Sequence, residues 1–181
     1  RLPPHFAGIR GACAREDAMA EPLLIHEGRV KSDWIDYNGH MRDGYYVVVC
    51  SDATDNLMDH FGIDRDYRDR TQRTAYTLEL KIRFLAELSE DEPFFITAQM
   101  LGSDSKRYHV YLRMFRAESG ELAATHESIM LHVDQNAGPA AAPFPDEIAE
   151  RVAALTEAHK DLPFPQDASR PITLAKIKAA G

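Results

Sequence analysis

The order of elements along this chain predicts an α+β domain in which a curved, antiparallel, five-stranded sheet wraps one central helix. One strand-like run precedes a single apolar helical run and four strand-like runs follow it, an order that does not alternate as parallel βαβ units do. The last three of those runs are joined by hairpin-length turns, which makes them antiparallel neighbours. The first half of the helical run is apolar nearly all round, as a helix enclosed on several sides must be.

Each element has its own signal. In 22–34 the apolar residues Leu23, Ile25 and Val30 fit a first strand that stops at the turn sequence Asp36-Tyr37-Asn38-Gly39. In 44–61, Tyr46, Val49, Ala53, Leu57 and Phe61 recur at helical spacing, with Tyr45, Val47 and Val48 widening the apolar face. Gly62 followed by Ile63 reads as a left-handed helix stop with its hydrophobic partner. A polar connection leads to strand-like runs at 74–85, 94–102, 107–117 and 121–133. Ser103-Asp104-Ser105-Lys106 and Glu118-Ser119-Gly120 close the hairpins, so the last three runs form a meander. After a Pro/Ala linker at 137–145, Ile148, Val152 and Leu155 line one face of a C-terminal helix over 146–159. Residues 1–20 read as a poorly structured leader, with Met19 a candidate start; 21–162 form the domain, and 163–181 a loosely attached tail. A sheet of this kind leaves an edge, so a homodimer or homotetramer is expected.

Composition narrows the function classes. The 181 residues, 44% apolar and 28% charged, suit one globular domain. A net charge of -8, with no cluster of Lys or Arg, argues against nucleic acid as a partner. No run nears the ~18 apolar residues of a membrane span, and the N-terminal stretch lacks a signal-peptide core. Cys13 and Cys50 have neither disulfide-framework nor metal-ligand spacing, so the expectation is a reduced, cytoplasmic protein. No metal or cofactor is called for.

Serine-elbow, phosphate-loop, dinucleotide and zinc-protease signatures are missing. What remains is Trp34-Ile-Asp-Tyr-Asn-Gly-His-Met-Arg-Asp-Gly-Tyr-Tyr46, which sets a carboxylate, an amide and an imidazole before the start of the central helix. Free N–H groups and the positive dipole end there can stabilise an oxyanion, while Asp36 and His40 can act on water or a carbonyl. The plainer alternative is an Asx-type turn in which Asp36 or Asn38 satisfies local backbone.

The run Asp36-x-Asn38-Gly39-His40 followed by Tyr45-Tyr46 resembles the loop-to-helix motif of the 4-hydroxybenzoyl-CoA thioesterase-like hotdog family, and plant acyl-acyl-carrier-protein thioesterases have a related pattern. Adding Leu78-Glu79, Arg83-Phe84-Leu85, Asp104-Ser-Lys-Arg-Tyr-His109 and Leu131-His-Val-Asp134, the chain from about 24 to 162 is similar to betainyl-CoA thioesterases of bacterial carnitine degradation, which are sometimes fused to carnitine dehydrogenase. The resemblance implies a hotdog fold and hydrolysis of a short acyl-CoA, betainyl-CoA to glycine betaine and CoA. Another acyl-CoA, an acyl carrier protein, or a non-catalytic acyl-CoA-binding role are the alternatives.

By the same resemblance Asp36 is the general base or the nucleophile, and the oxyanion donor is a backbone N–H near Asp43 or Gly44. Gly44 departs from the bulkier residue many members have there. Asn38 and His40 orient carbonyl or water. Glu79 shares a strand face with Lys81 and Arg83, opposite Leu78, Leu80, Ile82 and Phe84; it reads either as a solvated charge or as the partner of a trimethylammonium group across a dimer interface. Trp34, Tyr37 and Tyr45 are candidate aromatic faces for that cation. Lys106 and Arg107, at a hairpin turn, are candidates to grip coenzyme A phosphates, against the ordinary reading of solvated turn cations. His109, His126 and His132 read as structural or surface residues, and Cys50 as a core thiol.

Overall fold

The computed structural model describes residues 21–173. The leader, with Cys13 and Met19, lies outside them, as does the end of the tail from 174. The elements are β1 (Leu23–Arg29), a 3-10 turn (Ser32–Trp34), α1 (Asp43–Phe61), α2 (Arg65–Thr71), β2 (Arg73–Phe84), β3 (Pro93–Ser103), β4 (Arg107–Arg116), β5 (Leu122–Asp134), β6 (Ala140–Ala141) and α3 (Asp146–Ala158).

The five long strands pair antiparallel in the order β1-β3-β4-β5-β2, with the short β6 added to β5. Each of the four long ladders carries one register shift, at 24/26, 77/79, 100/102 and 114/115. Such bulges bend a strand and sharpen its twist, and here they curl the sheet around α1. Because strands alternate, one face presents Phe94, Ile96, Ala98, Met100, Val110, Leu112 and Met114, all buried, to the helix. The helix answers with Tyr46, Val49, Ala53, Leu57 and Phe61, all buried at the expected spacing. Cys50 is buried beside them, and burial pushes its thiol up to about 12, which keeps it an inert core group. Val48 departs from the all-round enclosure expected for the first half of α1: it is 48% exposed, so one side of the helix stays open in the single chain.

The stop after α1 forms as read. Gly62 has φ 87°, and Ile63 N–H donates to the Met58 carbonyl at 2.9 Å. The polar connection that follows is a helix, α2, whose N-cap Asp64 accepts from Tyr67 N–H at 2.8 Å. The Pro/Ala linker includes β6. α3 buries Ile148 and Val152, and its C-cap His159 accepts from Met100 N–H at 3.0 Å.

The described part of the tail, 163–173, is not loosely attached. It crosses the outer face of the sheet as a strap. Asp167 accepts from the Tyr111 hydroxyl at 2.5 Å and pairs with Arg83 at 2.8 Å. Lys81 pairs with Glu127 at 2.6 Å and donates to the Asp167 carbonyl at 2.8 Å, while Ser169 N–H donates to Glu127 at 2.7 Å. Burial alone would raise the Glu127 and Asp167 pKa values. The donors from Lys81, Ser169 and His109 on Glu127, and from Tyr111 and Arg83 on Asp167, outweigh it and hold both below the usual carboxylate range.

A native carboxylate pKa below its unfolded value contributes stability that is complete above the ordinary range, near ~4, and lost as pH falls through the native value. The strap is therefore expected to be firmly held at pH 7 and to loosen below about pH 4. Hydrogen exchange across 163–173 checks this; protection unchanged at acid pH would count against it.

Candidate active site

The turn after the first strand is built by short-range bonds. Asn38 N–H donates to Asp36 Oδ1 at 2.7 Å, Gly39 N–H to the Asp36 carbonyl at 3.0 Å, and Asp36 N–H to the His40 carbonyl at 3.0 Å. Gly39 sits at φ 85°, a left-handed conformation that an L side chain rarely adopts. The Asx-type turn is thus present, and it fixes the half-exposed Asp36 carboxylate. Asn38 Nδ2 lies 3.5 Å from Asp36 Oδ2. From there Arg42 N–H donates to the Trp34 carbonyl at 2.9 Å and Met41 N–H to the Leu88 carbonyl at 2.8 Å, which docks the loop against the chain leaving β2. His40 Nε2 lies 3.2 Å from Glu87 Oε2 in the same segment.

α1 begins immediately afterwards. Gly44 N–H donates to the Asp43 side chain at 2.8 Å, so the helix's own carboxylate occupies that donor. Beside the helix start is a cavity of about 340 Å³ lined by Met41, Asp43, Tyr46, Phe84, Ala86 and Glu87, with Leu85. The Tyr46 hydroxyl shapes it by donating to the Ala86 carbonyl at 3.4 Å and accepting from Leu88 N–H at 3.0 Å, and its ring meets Phe84 edge-on at 5.3 Å. The arrangement offers a fixed carboxylate, an imidazole braced by a glutamate, and a helix N-terminus beside an apolar recess. Those are the parts needed for water or carboxylate attack on a carbonyl whose oxygen gathers charge.

The structure brings Asp36, Asn38 and His40 together in one turn, sets Asp43 and Gly44 at the start of α1, and stacks Trp34 against Tyr45 with centroids 5.4 Å apart. Lys31 Nζ lies 5.0 Å over the Trp34 ring, so that aromatic face already holds a cation. Tyr37 is 95% exposed. Glu79 lies on the outer sheet face with Lys81 and His109, away from α1, in a cavity of about 410 Å³ under the strap. Lys106 and Arg107 sit at the β3–β4 turn, on the far end of β4 from the chain segment that meets the loop. The Asp104 carboxylate takes Lys106 N–H at 2.9 Å and Arg107 Nη2 at 2.6 Å, and these bonds hold its pKa near 2.

Two of the three strand histidines are engaged in the sheet, His109 meeting Glu127 at 2.9 Å and His132 lying between the Tyr67 hydroxyl and the Ala142 carbonyl, each 2.9 Å away, while His126 is buried with its Nδ1 unpartnered among the described residues. Tyr46, Phe84 and Glu87, which line the cavity at the start of α1, are not among the candidate site residues read from the sequence; Tyr46 closes the loop-to-helix motif, Phe84 lies in the Arg83-Phe84-Leu85 match, and Glu87 carries no sequence signal. Among the described residues no cluster of three His, Cys, Asp or Glu side chains is placed to hold a metal, and no helix is long and apolar enough to cross a membrane.

Residues 30–152 match the model of the thioesterase-like superfamily. A Pseudomonas aeruginosa protein named betainyl-CoA thioesterase is 41% identical over 160 residues, which are 88% of this chain and all of that protein. A Rhizobium protein named L-carnitine dehydrogenase/betainyl-CoA thioesterase is 39% identical over 83% of this chain, which spans only 30% of that longer protein. Among solved structures, a Staphylococcus aureus protein in complex with CoA superposes with a TM-score of 0.78 at 28% identity, covering 88% of this chain and 99% of that one.

Tyr46→Phe removes the acceptor for the buried Leu88 N–H. It is expected to cost about 1–3 kcal/mol, the penalty of an unpaired buried donor. That lowers the melting temperature by several degrees in calorimetry.

Proposed function

This chain belongs to the thioesterase-like superfamily, and from that membership we propose that it hydrolyses betainyl-CoA to glycine betaine and free CoA. The observation that carries the acyl group is the end-to-end likeness to the Pseudomonas aeruginosa protein of that name. The hotdog fold and acyl-CoA thioester hydrolysis rest on the broader agreement of family, relatives and architecture.

In the proposed reaction the thioester carbonyl lies in the cavity at the start of α1, and Asp36 acts from the adjoining turn. Asp36 either takes a proton from the attacking water or attacks the carbonyl itself, giving an anhydride that water then cleaves. In both routes the carbonyl oxygen becomes an oxyanion, the C–S bond breaks, and the thiolate leaves to be protonated as CoA. A rotation of the Asp43 side chain frees Gly44 N–H for that oxyanion, and the helix dipole adds to its stabilisation. Asn38 steadies Asp36, and His40, braced by Glu87, orients the water or carbonyl.

We also read the protein as a homodimer. On the edge strand β2, Leu78, Leu80 and Phe84 are 55%, 44% and 51% exposed, an apolar strip on a strand with a free edge. A second copy placed across it by a two-fold axis satisfies both features. In that dimer Lys106 and Arg107, which lie far from the loop of their own copy, are assigned to the CoA phosphates of the other copy's site. A cytoplasmic location fits the free, buried Cys50 thiol.

Thiol release from betainyl-CoA tests the reading. Asp36→Asn keeps an acceptor for Asn38 N–H and is expected to lower kcat by ~100-fold or more with the melting temperature retained, since general acid–base catalysis contributes on that scale. Near wild-type turnover by the variant would remove Asp36 from the mechanism.

A further inference from the structure

The chain between β2 and β3, residues 85–92, belongs to no strand, yet part of the candidate site is built on it. The Leu88 carbonyl accepts from Met41 N–H at 2.8 Å, Leu88 N–H donates to the Tyr46 hydroxyl at 3.0 Å, and Glu87 Oε2 lies 3.2 Å from His40 Nε2. A segment without a ladder keeps its place through point contacts, so its anchors matter to everything docked on it.

One anchor reaches in from outside the cavity. Arg116 ends β4 and is not among the residues that line the recess at α1. Its Nη2 donates to the Glu87 carbonyl, its Nη1 pairs with Glu92 Oε1 at 2.9 Å, and its Nε pairs with Glu121 Oε2 at 3.1 Å. The donors of a guanidinium stand in one rigid plane, so these three partners are fixed relative to one another as well as to β4. Glu92 closes the frame within the segment by accepting from Ser89 N–H at 2.8 Å.

The need for such an anchor follows from exposure. The side chains of His40 and Glu87 are 38% and 71% exposed. Between two groups so open to water, hydration and lost rotamer freedom offset most of the attraction. Glu87 can therefore hold His40 in one orientation only if its own main chain is already still. Arg116 provides that stillness, one peptide away from the carbonyl that docks Met41. The His40 carbonyl in turn accepts from Asp36 N–H at 3.0 Å, which ties His40 to the carboxylate of the turn.

We propose that Arg116 is a positioning residue of this site: by clamping the Glu87 peptide it holds His40, through the Glu87 side chain, at its station beside Asp36. The assignment rests on the thioesterase reading above and deepens it.

Thiol release from betainyl-CoA by the wild type, Arg116→Met, Glu87→Ala and the double variant tests this as a cycle. Glu87→Ala keeps the clamped carbonyl and removes the side chain that reaches His40. Arg116→Met is expected to lower kcat about tenfold with KM changed less than about twofold, since a misplaced group slows the chemical step more than it weakens binding. In the Glu87→Ala background the same substitution is expected to lower kcat by less than about twofold, because two residues acting along one line do not add. Equal losses in both backgrounds overturn the assignment and leave thioester hydrolysis standing. Glu121→Gln, which removes one ion pair of Arg116 and spares its bond to Glu87, is expected to leave kcat within about twofold of the wild type. A loss matching that of Arg116→Met also overturns the assignment. Should Arg116→Met fail to fold with Glu92 left unpaired, Arg116→Met/Glu92→Gln removes both partners and carries the same cycle.

If the wild type releases no thiol from betainyl-CoA, the functional reading fails instead, and hydrogen exchange decides the clamp alone. A loss of protection in Arg116→Met at least about tenfold greater at the Met41 amide than at the Leu112 amide upholds it, and any smaller difference overturns it.

Discussion

Burial of α1 in the concave face of one sheet is the constraint on which the rest of this molecule depends. A flat sheet cannot enclose a helix, so each long ladder yields a bulge and the strands curl. The curl fixes the helix axis, and the axis fixes where its N-terminus emerges. The loop before α1 must then return from β1 to that point in a few residues. The Asp36 turn, with Gly39 in a left-handed conformation, makes this possible, and the hydrogen bond from Met41 to Leu88 pins it to the sheet. The geometry of the candidate site and the packing of the core are thus one arrangement seen from two sides.

The same enclosure is incomplete, and the gap is informative. A sheet ending at β2 leaves one side of α1 uncovered, where Val48 and the apolar β2 residues stay exposed. The proposed chemistry lies along that opening. An active site at the margin of a core has a rigid wall to position its groups and an open side through which substrate or a second copy can approach.

Much of this was legible in the sequence because it is periodic. Alternation gave the long strands, helical spacing gave α1, and Gly62-Ile63 gave its end. α2 escaped because only Tyr67 among its residues is buried, so no apolar stripe marks it; the signal that remained was Asp64 as an N-cap. The strap escaped because its contacts are polar and distant in sequence. At the site, turn chemistry singled out Asp36 through His40, whereas the wall supplied by Phe84 and Glu87 comes from a remote element. Sequence alternation placed Glu79 with Lys81 and Arg83 but could not say which face turns toward α1. The plainer view of Asp36 as a turn-former and the catalytic one also prove compatible, since the bond that forms the turn is the one that holds the carboxylate still.

The strap's bonds to Glu127 and Lys81 join residues 42 to 89 positions apart, and they require β2 and β5 to be already paired. During synthesis this segment leaves the ribosome after every strand it covers, so the outer face must wait uncovered while the nascent chain is completed. A face made of Lys81, Arg83, Glu127 and His109 can wait in water, its charges hydrated, where an apolar one would invite aggregation. The polar character of that face is therefore suited to the order in which the polypeptide is made.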